Sequence, residues 1–177
     1  MSLLVVSSSL NPNSRSRIMA KEACEVAKPL ERELEILDLK HLALPPCDGH
    51  TSYGHENTIR ASTMVARADA ILLATPIYNY SLNAAAKNLI ELTGQHWKNK
   101  VVGFLCAAGG DSSYMSIMGI AGSLMLDFRC IIIPRFVYAS GDAFADGALV
   151  DEELRSRISE LVQETLCISR ALKVIPK

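Results

Sequence analysis

The sequence lacks features that mark several whole classes of protein. Its 177 residues contain no apolar run near the roughly 20 residues of a membrane span. The N-terminal apolar segment is only about five residues long and has no basic flank, so it is too short for a signal peptide. A net charge of −1 provides no basic surface for nucleic acid or anionic lipid. We therefore expect a cytoplasmic protein that binds neither nucleic acid nor a membrane.

Paired cysteines and ordered metal ligands are also missing. The five cysteines stand at wide spacings without a C-x-x-C pair, which argues against a disulfide framework and against a zinc knuckle. Cys47, His50 and His55 could ligate a metal, but their spacing matches no standard site, so we interpret this segment as a solvated loop and expect no metal. Trp97 and the neighbouring His96 are interpreted as surface or interface residues.

What the chain does contain is a regular alternation of short apolar runs and helix-like patterns. A length of 177 residues and a hydrophobic content of 49% suit one core, so we expect a single domain over residues 1–177. Apolar runs predict five strands, at residues 3–7, 34–39, 70–75, 100–107 and 130–133. Helical periodicity predicts the segments between and after them, at residues 14–28, 57–68, 83–92, 112–128 and 151–172. This order predicts an α/β fold with a doubly wound, five-stranded parallel sheet.

In such a fold, ligands bind beyond the carboxyl ends of the strands, where three loops should meet. The first loop, residues 8–16, is rich in hydroxyl groups and leads into a helix, whose start attracts anions. Arg15 and Arg17 in the first helical turn oppose the helix dipole, which suggests that an anion compensates them. The alternative is an ordinary N-cap by Ser14 or Asn13 with solvated arginines.

The second and third loops have the composition of a platform for a planar ring. Residues 76–81 combine a proline with Tyr78, Asn79 and Tyr80, and Gly109 with Gly110 would let the backbone approach a ligand closely. The alternative is that the tyrosines only pack and the glycines only turn the chain. An anion cradle next to a ring platform suggests a phosphorylated ring cofactor of mononucleotide size.

Two of these segments carry a family resemblance. SSLNPNSRS at residues 8–16 is similar to the pattern G-S-x-R-x-x-S-x-N, and PIYNYSLNAAAKN at residues 76–88 is similar to P-x-Y-N-x-S-x-P-G-x-L-K-N. Both patterns belong to the flavodoxin-like NAD(P)H-dependent FMN reductases, which include quinone, chromate and azo-dye reductases. The chain departs from them at Asn11, where the family has arginine, at Ser16, where it has Asn or Thr, and at Asn83-Ala84, where it has Pro-Gly.

The resemblance implies a three-layer flavodoxin-like fold with strand order 2-1-3-4-5 and a bound FMN. It implies phosphate contacts from the first loop, with Arg15 or Arg17 replacing the missing arginine, and ring contacts from the other two loops. The predicted cofactor-binding residues are Ser9, Asn11, Ser14, Arg15, Ser16, Pro76, Ile77, Tyr78, Asn79, Gly109 and Gly110. No protein side chain is predicted to be catalytic, because the flavin carries the hydride. The family also implies a homodimer or homotetramer.

The resulting hypothesis is an FMN-dependent oxidoreductase. NADPH or NADH would supply hydride to FMN, which would reduce a second FMN, a quinone or another small acceptor by a ping-pong mechanism. The chain has no G-x-G-x-x-G motif, which argues against a separate nicotinamide domain. Two alternatives stay open: an electron carrier of the flavodoxin type, although those carriers are strongly acidic, and a flavin-free regulatory or binding domain on the same fold.

Overall fold

A computed structural model describes residues 1–174, so the last three residues of the predicted domain lie outside the described range. The strands in this range are β1 (Ser2–Ser7), β2 (Glu33–Asp38), β3 (Ala70–Tyr78), β4 (Ser81–Leu82), β5 (Val101–Ala107), β6 (Ile131–Ile132), β7 (Val137–Ala139), β8 (Phe144–Ala145) and β9 (Ala148–Leu149). The α-helices are α1 (Arg15–Ala27), α2 (Glu56–Arg67), α3 (Ala84–Thr93), α4 (Met118–Phe128) and α5 (Glu152–Val174). A 3₁₀ helix over Asp111–Ile117 precedes α4, where the sequence predicts one continuous helix.

The main sheet is mostly parallel and has the order β2-β1-β3-β5-β6. The predicted doubly wound α/β fold is confirmed. The fourth and fifth predicted strands are β5 and β6, so the observed order of these five strands matches the predicted order 2-1-3-4-5. The predicted strand count is wrong, because the sheet contains seven strands: β4 pairs antiparallel with β3, and β7 pairs with β5 beyond β6.

The extra strands have local causes. The predicted strand at residues 130–133 ends after Ile132, and Pro134, which has no N–H to donate, is followed by Arg135 with a φ of +56°. The chain then returns to the edge of β5 as β7. β4 forms because the chain reverses directly after β3 through a two-residue turn.

Helices cover both faces of the sheet and produce two apolar cores. β3 shows the division, since Ile71 and Leu73 face the core under α2, α3 and α4, whereas Leu72 and Ala74 face the core under α1 and α5. A strand that is buried on both sides reads as a continuous apolar run, which is why the sequence identified it.

One surface assignment is wrong, because Trp97 lies fully buried in the first of these cores. Its Nε1 donates to Thr93 Oγ1 at 2.7 Å, which satisfies the only polar atom of the indole. His96 is exposed, as expected. Between residues 1 and 174, no helix is both long and apolar enough to cross a bilayer.

Candidate functional site

The carboxyl ends of β1, β3 and β5 lie side by side and open into one cleft. The cleft has a volume of about 590 Å³. Strand order reverses at β1 and β3, so the loops that follow these strands separate there and leave space for a ligand. The cleft is lined by Ser9, Asn11, Asn13, Ser14, Arg15, Ser16, Pro76, Ile77, Tyr78, Asn79, Ala107, Ala108 and Gly109.

The structure brings together all predicted cofactor-binding residues except one. Gly110 is not part of the lining; it is exposed, and its carbonyl accepts a hydrogen bond from the Tyr138 hydroxyl. Asn13, Ala107 and Ala108 also line the cleft and were not among the predicted residues. Ala107 and Ala108 carried no signal in the sequence, because a ligand contacts such small residues through their backbone and not through a recognisable side chain.

The start of α1 supplies hydrogen-bond donors to one end of the cleft. Ser14 is the N-cap of α1, and its Oγ accepts from Arg17 N at 3.2 Å. This cap uses the third N–H of the helix, so the N–H groups of Arg15 and Ser16 before it have no intrahelical acceptor. The hydroxyls of Ser14 and Ser16 lie 3.0 Å apart. The N-cap and the anion cradle, posed as alternatives from sequence, are therefore compatible.

The two arginines of the first turn have different environments. Arg17 Nε lies 2.8 Å from Asp38 Oδ2 at the end of β2, and its terminal nitrogens donate to the carbonyls of Asn11 and Ser9 at 2.6 Å each. Arg17 thus holds the backbone of the first loop from outside the cleft. Arg15 lines the cleft and is the one cationic residue in its described lining.

The ion pair between Arg17 and Asp38 shifts the titration of the carboxyl group. Burial raises the pKa of Asp38, but the hydrogen bonds from the Arg17 side chain and from Lys40 N, together with the positive charge, outweigh it and hold the pKa below its usual value. Asp38 therefore stays ionised to a lower pH than an unperturbed aspartate does.

A buried amide joins the first loop to the second. Asn83 Oδ1 lies 2.8 Å from Ser8 Oγ and 3.1 Å from Thr75 Oγ1, and its Nδ2 donates to the Ser8 carbonyl at 2.9 Å. Ser8 and Thr75 are fully buried. Asn83 is the N-cap residue of α3, but its side chain makes no capping bond. Asn83 stands where the resembling pattern has proline, so that departure is the one signal that could have marked its role.

The second loop is a tight turn that exposes two aromatic rings. Asn79 and Tyr80 are its central residues, with φ of +48° and +64°, the left-handed conformation of a type I′ turn. A bulky residue rarely adopts this conformation, and strain of this kind is concentrated at functional sites. Tyr78 lines the cleft, and both Tyr78 and Tyr80 line an adjoining cavity of about 940 Å³ beside α4.

Packing among three aromatic rings, those of Tyr114, Phe136 and Tyr138, holds the third loop in place. Tyr114 stacks on Phe136 with ring centroids 4.8 Å apart and meets Tyr138 edge-on at 5.7 Å. Because the Tyr138 hydroxyl also donates to the Gly110 carbonyl, β7 holds the segment around Gly109 against the end of β5. Gly109 has no atom within 4 Å of the position of a Cβ, so this wall of the cleft is open to a ligand.

Comparison with known proteins relates the chain to one group of enzymes. Residues 1–144 match the family described as NADPH-dependent FMN reductase. An NAD(P)H-dependent FAD/FMN reductase of Geobacillus thermodenitrificans is 32% identical, with 98% of this chain and 96% of that protein aligned. An NADPH azoreductase of a Bacillus species is 26% identical over 100% of this chain and 97% of its own length.

Solved structures agree in fold. The apo form of an NADH:FMN oxidoreductase superposes with a TM-score of 0.78 at 14% identity, covering 94% of this chain and 89% of that one. An NAD(P)H:acceptor oxidoreductase from Paracoccus denitrificans superposes with a TM-score of 0.77 at 21% identity, covering 96% and 97%. At these identities the likeness shows the fold alone.

Replacing Asn83 with alanine tests the buried amide. In Asn83→Ala, the Ser8 carbonyl keeps its burial and loses the hydrogen bond from Asn83, so we expect the free energy of unfolding to fall by about 2 kcal/mol. Urea unfolding followed by circular dichroism measures this loss. Asn13→Ala, at an exposed asparagine of the same cleft, is the control and should change stability little. Equal losses in the two variants would show that the network contributes nothing specific.

Acid unfolding tests the pair of Arg17 and Asp38. Because folding lowers the pKa of Asp38, its ionised form stabilises the fold above the unfolded-state value near 3.8, and this contribution disappears as pH falls through the folded-state pKa. We expect Asp38→Asn to be about 1 kcal/mol less stable than wild type at pH 7 and to approach it at low pH. Asp127→Asn, at an exposed carboxylate, is the control. A difference for Asp38→Asn that stayed constant with pH would contradict this account.

Proposed function

We propose, from the premise that this chain belongs to the NADPH-dependent FMN reductase family, that the cleft described above is its FMN site. Family membership makes the chain an FMN-dependent NAD(P)H oxidoreductase. The assignment of the cleft rests on one observation. The hydroxyl-rich first loop, which suits an anion, and the second and third loops, which suit a planar ring, line a single 590 Å³ cavity at the sheet edge.

The chemistry of the donor set fits the phosphate of FMN. Ser9, Ser14, Ser16 and Arg15 all line this end of the cleft, where α1 begins. Among the described lining residues none is acidic, so a phosphate dianion would meet no repelling carboxylate. A helix N-terminus with hydroxyl donors is a general anion site, and the added cation matches a phosphate monoester.

The other end fits the isoalloxazine ring. Pro76, Ile77 and Tyr78 offer a rigid, partly aromatic side, and Gly109 with Ala107 and Ala108 offers a backbone wall without bulky side chains. The strained turn at Asn79 is held by the Asn83 network and by β4, so the ring platform is pre-organised before a ligand arrives.

The protein then acts by positioning. Bound FMN supplies the redox chemistry, in which hydride from reduced nicotinamide is passed on to a second substrate. The chain contributes the cleft, the hydrogen bonds that orient the ring, and one open side beside Tyr78 for the substrates. The relatives named azoreductase and quinone oxidoreductase support a small aromatic acceptor such as a quinone.

Because both substrates would use the same open side, we expect them to bind in turn. Initial rates with NADPH or NADH varied against a quinone should give parallel double-reciprocal lines, the pattern of a ping-pong reaction. Intersecting lines would show that nicotinamide and acceptor bind together, and a second nucleotide site would then be needed.

We also propose that the protein assembles as a homodimer or homotetramer in the cytoplasm. The face around α4 carries exposed apolar side chains that no described element covers: Tyr80, Met115, Met118, Met125 and Leu126. Apolar patches of this kind often mark interfaces between chains.

The five cysteines are free thiols, as is typical of a reducing compartment, and this supports the proposed location in the cytoplasm.

The two alternative functions, an electron carrier of the flavodoxin type and a flavin-free binding domain, differ from the proposed one in flavin binding and in catalysis. An electron carrier would bind FMN and not oxidise NAD(P)H at a catalytic rate, and a flavin-free domain would bind neither flavin. Purified protein is therefore titrated with FMN and with riboflavin by fluorescence quenching, and its NAD(P)H oxidation is assayed with a quinone. We expect tighter binding of FMN than of riboflavin, because riboflavin lacks the phosphate. Equal affinity would contradict the assignment of the cradle.

A substitution at Ser14 tests the cradle directly. Aspartate also caps helices well, so Ser14→Asp should keep the N-cap while it adds a negative charge beside the phosphate. We expect the affinity for FMN to fall about tenfold or more, with little change for riboflavin. Ser14→Asn, a cap of the same shape without the charge, is the matched control. Unchanged FMN affinity in Ser14→Asp would show that the phosphate lies elsewhere.

A further inference from the structure

We propose that Gly141 and Phe144, which lie outside all three cofactor loops, are positioning residues that hold the Arg15 guanidinium in place for the flavin phosphate. Arg15 would thereby supply the charge that Asn11 does not. This inference rests on the proposed FMN site and adds a fourth segment to it.

Arg15 is the cation available to the cradle. Arg17 is engaged with Asp38 and with two carbonyls of the first loop. Asn11 uses its side-chain oxygen to accept from Asn13 N at 2.9 Å, which shapes the loop locally. Over residues 1–174, no carboxylate lies within ion-pair distance of Arg15. A cation in the first turn of α1 opposes the helix dipole, so an anionic ligand would relieve an unfavourable charge already present.

Gly141 contacts the guanidinium from the segment after β7. A Cβ built on Gly141 would lie 3.1 Å from one terminal nitrogen of Arg15 and 3.4 Å from the other. The φ of Gly141 is not in the left-handed region, so its backbone conformation does not require glycine. The space beside it is instead occupied by Arg15. An alanine at position 141 would shift the guanidinium by a few tenths of an ångström, and a larger residue would shift it further, because the end of a long side chain moves more easily than the backbone.

Phe144 bounds the guanidinium from a second direction. Its ring centroid lies 5.9 Å from Arg15 Cζ, just inside the limit of about 6 Å for a cation–π contact. Phe144 begins β8, which pairs with β9, and its ring packs against the core beneath α1 and α5. Arg155 of α5 donates to the Leu149 carbonyl at 2.6 Å and so ties the hairpin to the helix. The support under Arg15 is therefore rigid.

The test compares the affinities for FMN and for riboflavin in variants of this contact. We expect Arg15→Gln to weaken FMN binding about tenfold, the usual effect of losing one charge-assisted hydrogen bond, and to leave riboflavin binding unchanged. Gly141→Ala and Phe144→Leu should each weaken FMN binding several-fold with riboflavin again unchanged. In all three variants the dependence of FMN affinity on salt should become shallower, because one charge contact is lost or displaced.

Matched controls separate positioning from folding. Gly54→Ala places a methyl group where no atom lies within 4 Å, and Arg60→Gln removes an exposed arginine on α2; both should bind the two flavins as wild type does. Phe144→Tyr keeps an aromatic face and should retain the preference for FMN. A variant that loses riboflavin binding in proportion to FMN binding has a structural defect, and melting temperatures measured in parallel identify it.

The outcomes are distinguishable from failure of the proposed function. If wild-type protein binds neither flavin, the FMN site itself is wrong. If wild type prefers FMN and Arg15→Gln removes that preference, but Gly141→Ala and Phe144→Leu keep it in full, Arg15 binds phosphate without their help and the positioning inference is overturned. If Arg15→Gln also keeps the preference, the charge comes from elsewhere and the inference is overturned at its first step.

Discussion

The position of the candidate site depends on one buried amide. Asn83 connects Ser8, directly after β1, to Thr75, in the last half of β3, through buried hydrogen bonds. In a low-dielectric interior such bonds are strong when complete and costly when broken, so the network holds its geometry closely. The two loops that follow these strands would otherwise diverge, since the strand order reverses between them. The amide keeps the cradle and the ring platform at a fixed separation.

The two arginines in the first turn of α1 have different roles. Arg17 forms an ion pair with Asp38 and donates hydrogen bonds to carbonyls of the first loop, so it fixes the conformation of that loop. Arg15 has no such partner among the described residues and contributes charge. Both lie in one helical turn, yet their directions are about 160° apart, because each residue of an α-helix turns the side-chain direction by about 100° and Arg17 follows Arg15 by two residues. One side chain therefore points to β2 and the other to the segment after β7.

The strained backbone of the site lies in a turn whose tyrosine rings are exposed. Asn79 and Tyr80 adopt left-handed backbone angles in the turn between β3 and β4. The turn leaves Tyr78 and Tyr80 more than half exposed, at 54% and 56%. The left-handed conformation of Tyr80 is unfavourable for a bulky residue, which is consistent with a role toward a ligand or a second copy of the chain. The rest of the second loop is rigid because β4 and the Asn83 network enclose it.

The sequence by itself determined five of the strands, the helical segments between them, the doubly wound sheet and, through the family resemblance, most of the cleft lining. The strands and helices follow from local periodicity, and the meeting of the three loops follows from the rule that loops at the carboxyl edge converge, as the positions of Ser14, Tyr78 and Gly109 illustrate. Tertiary structure alone decided the return of the chain to the edge of β5 as β7, the burial of Trp97, the role of Asn83 and the different partners of Arg15 and Arg17. Each of these depends on a partner far away in the chain, such as Ser8 for Asn83 or Phe144 for Arg15, and the residue pattern around a position carries no information about which distant groups the fold will bring to it.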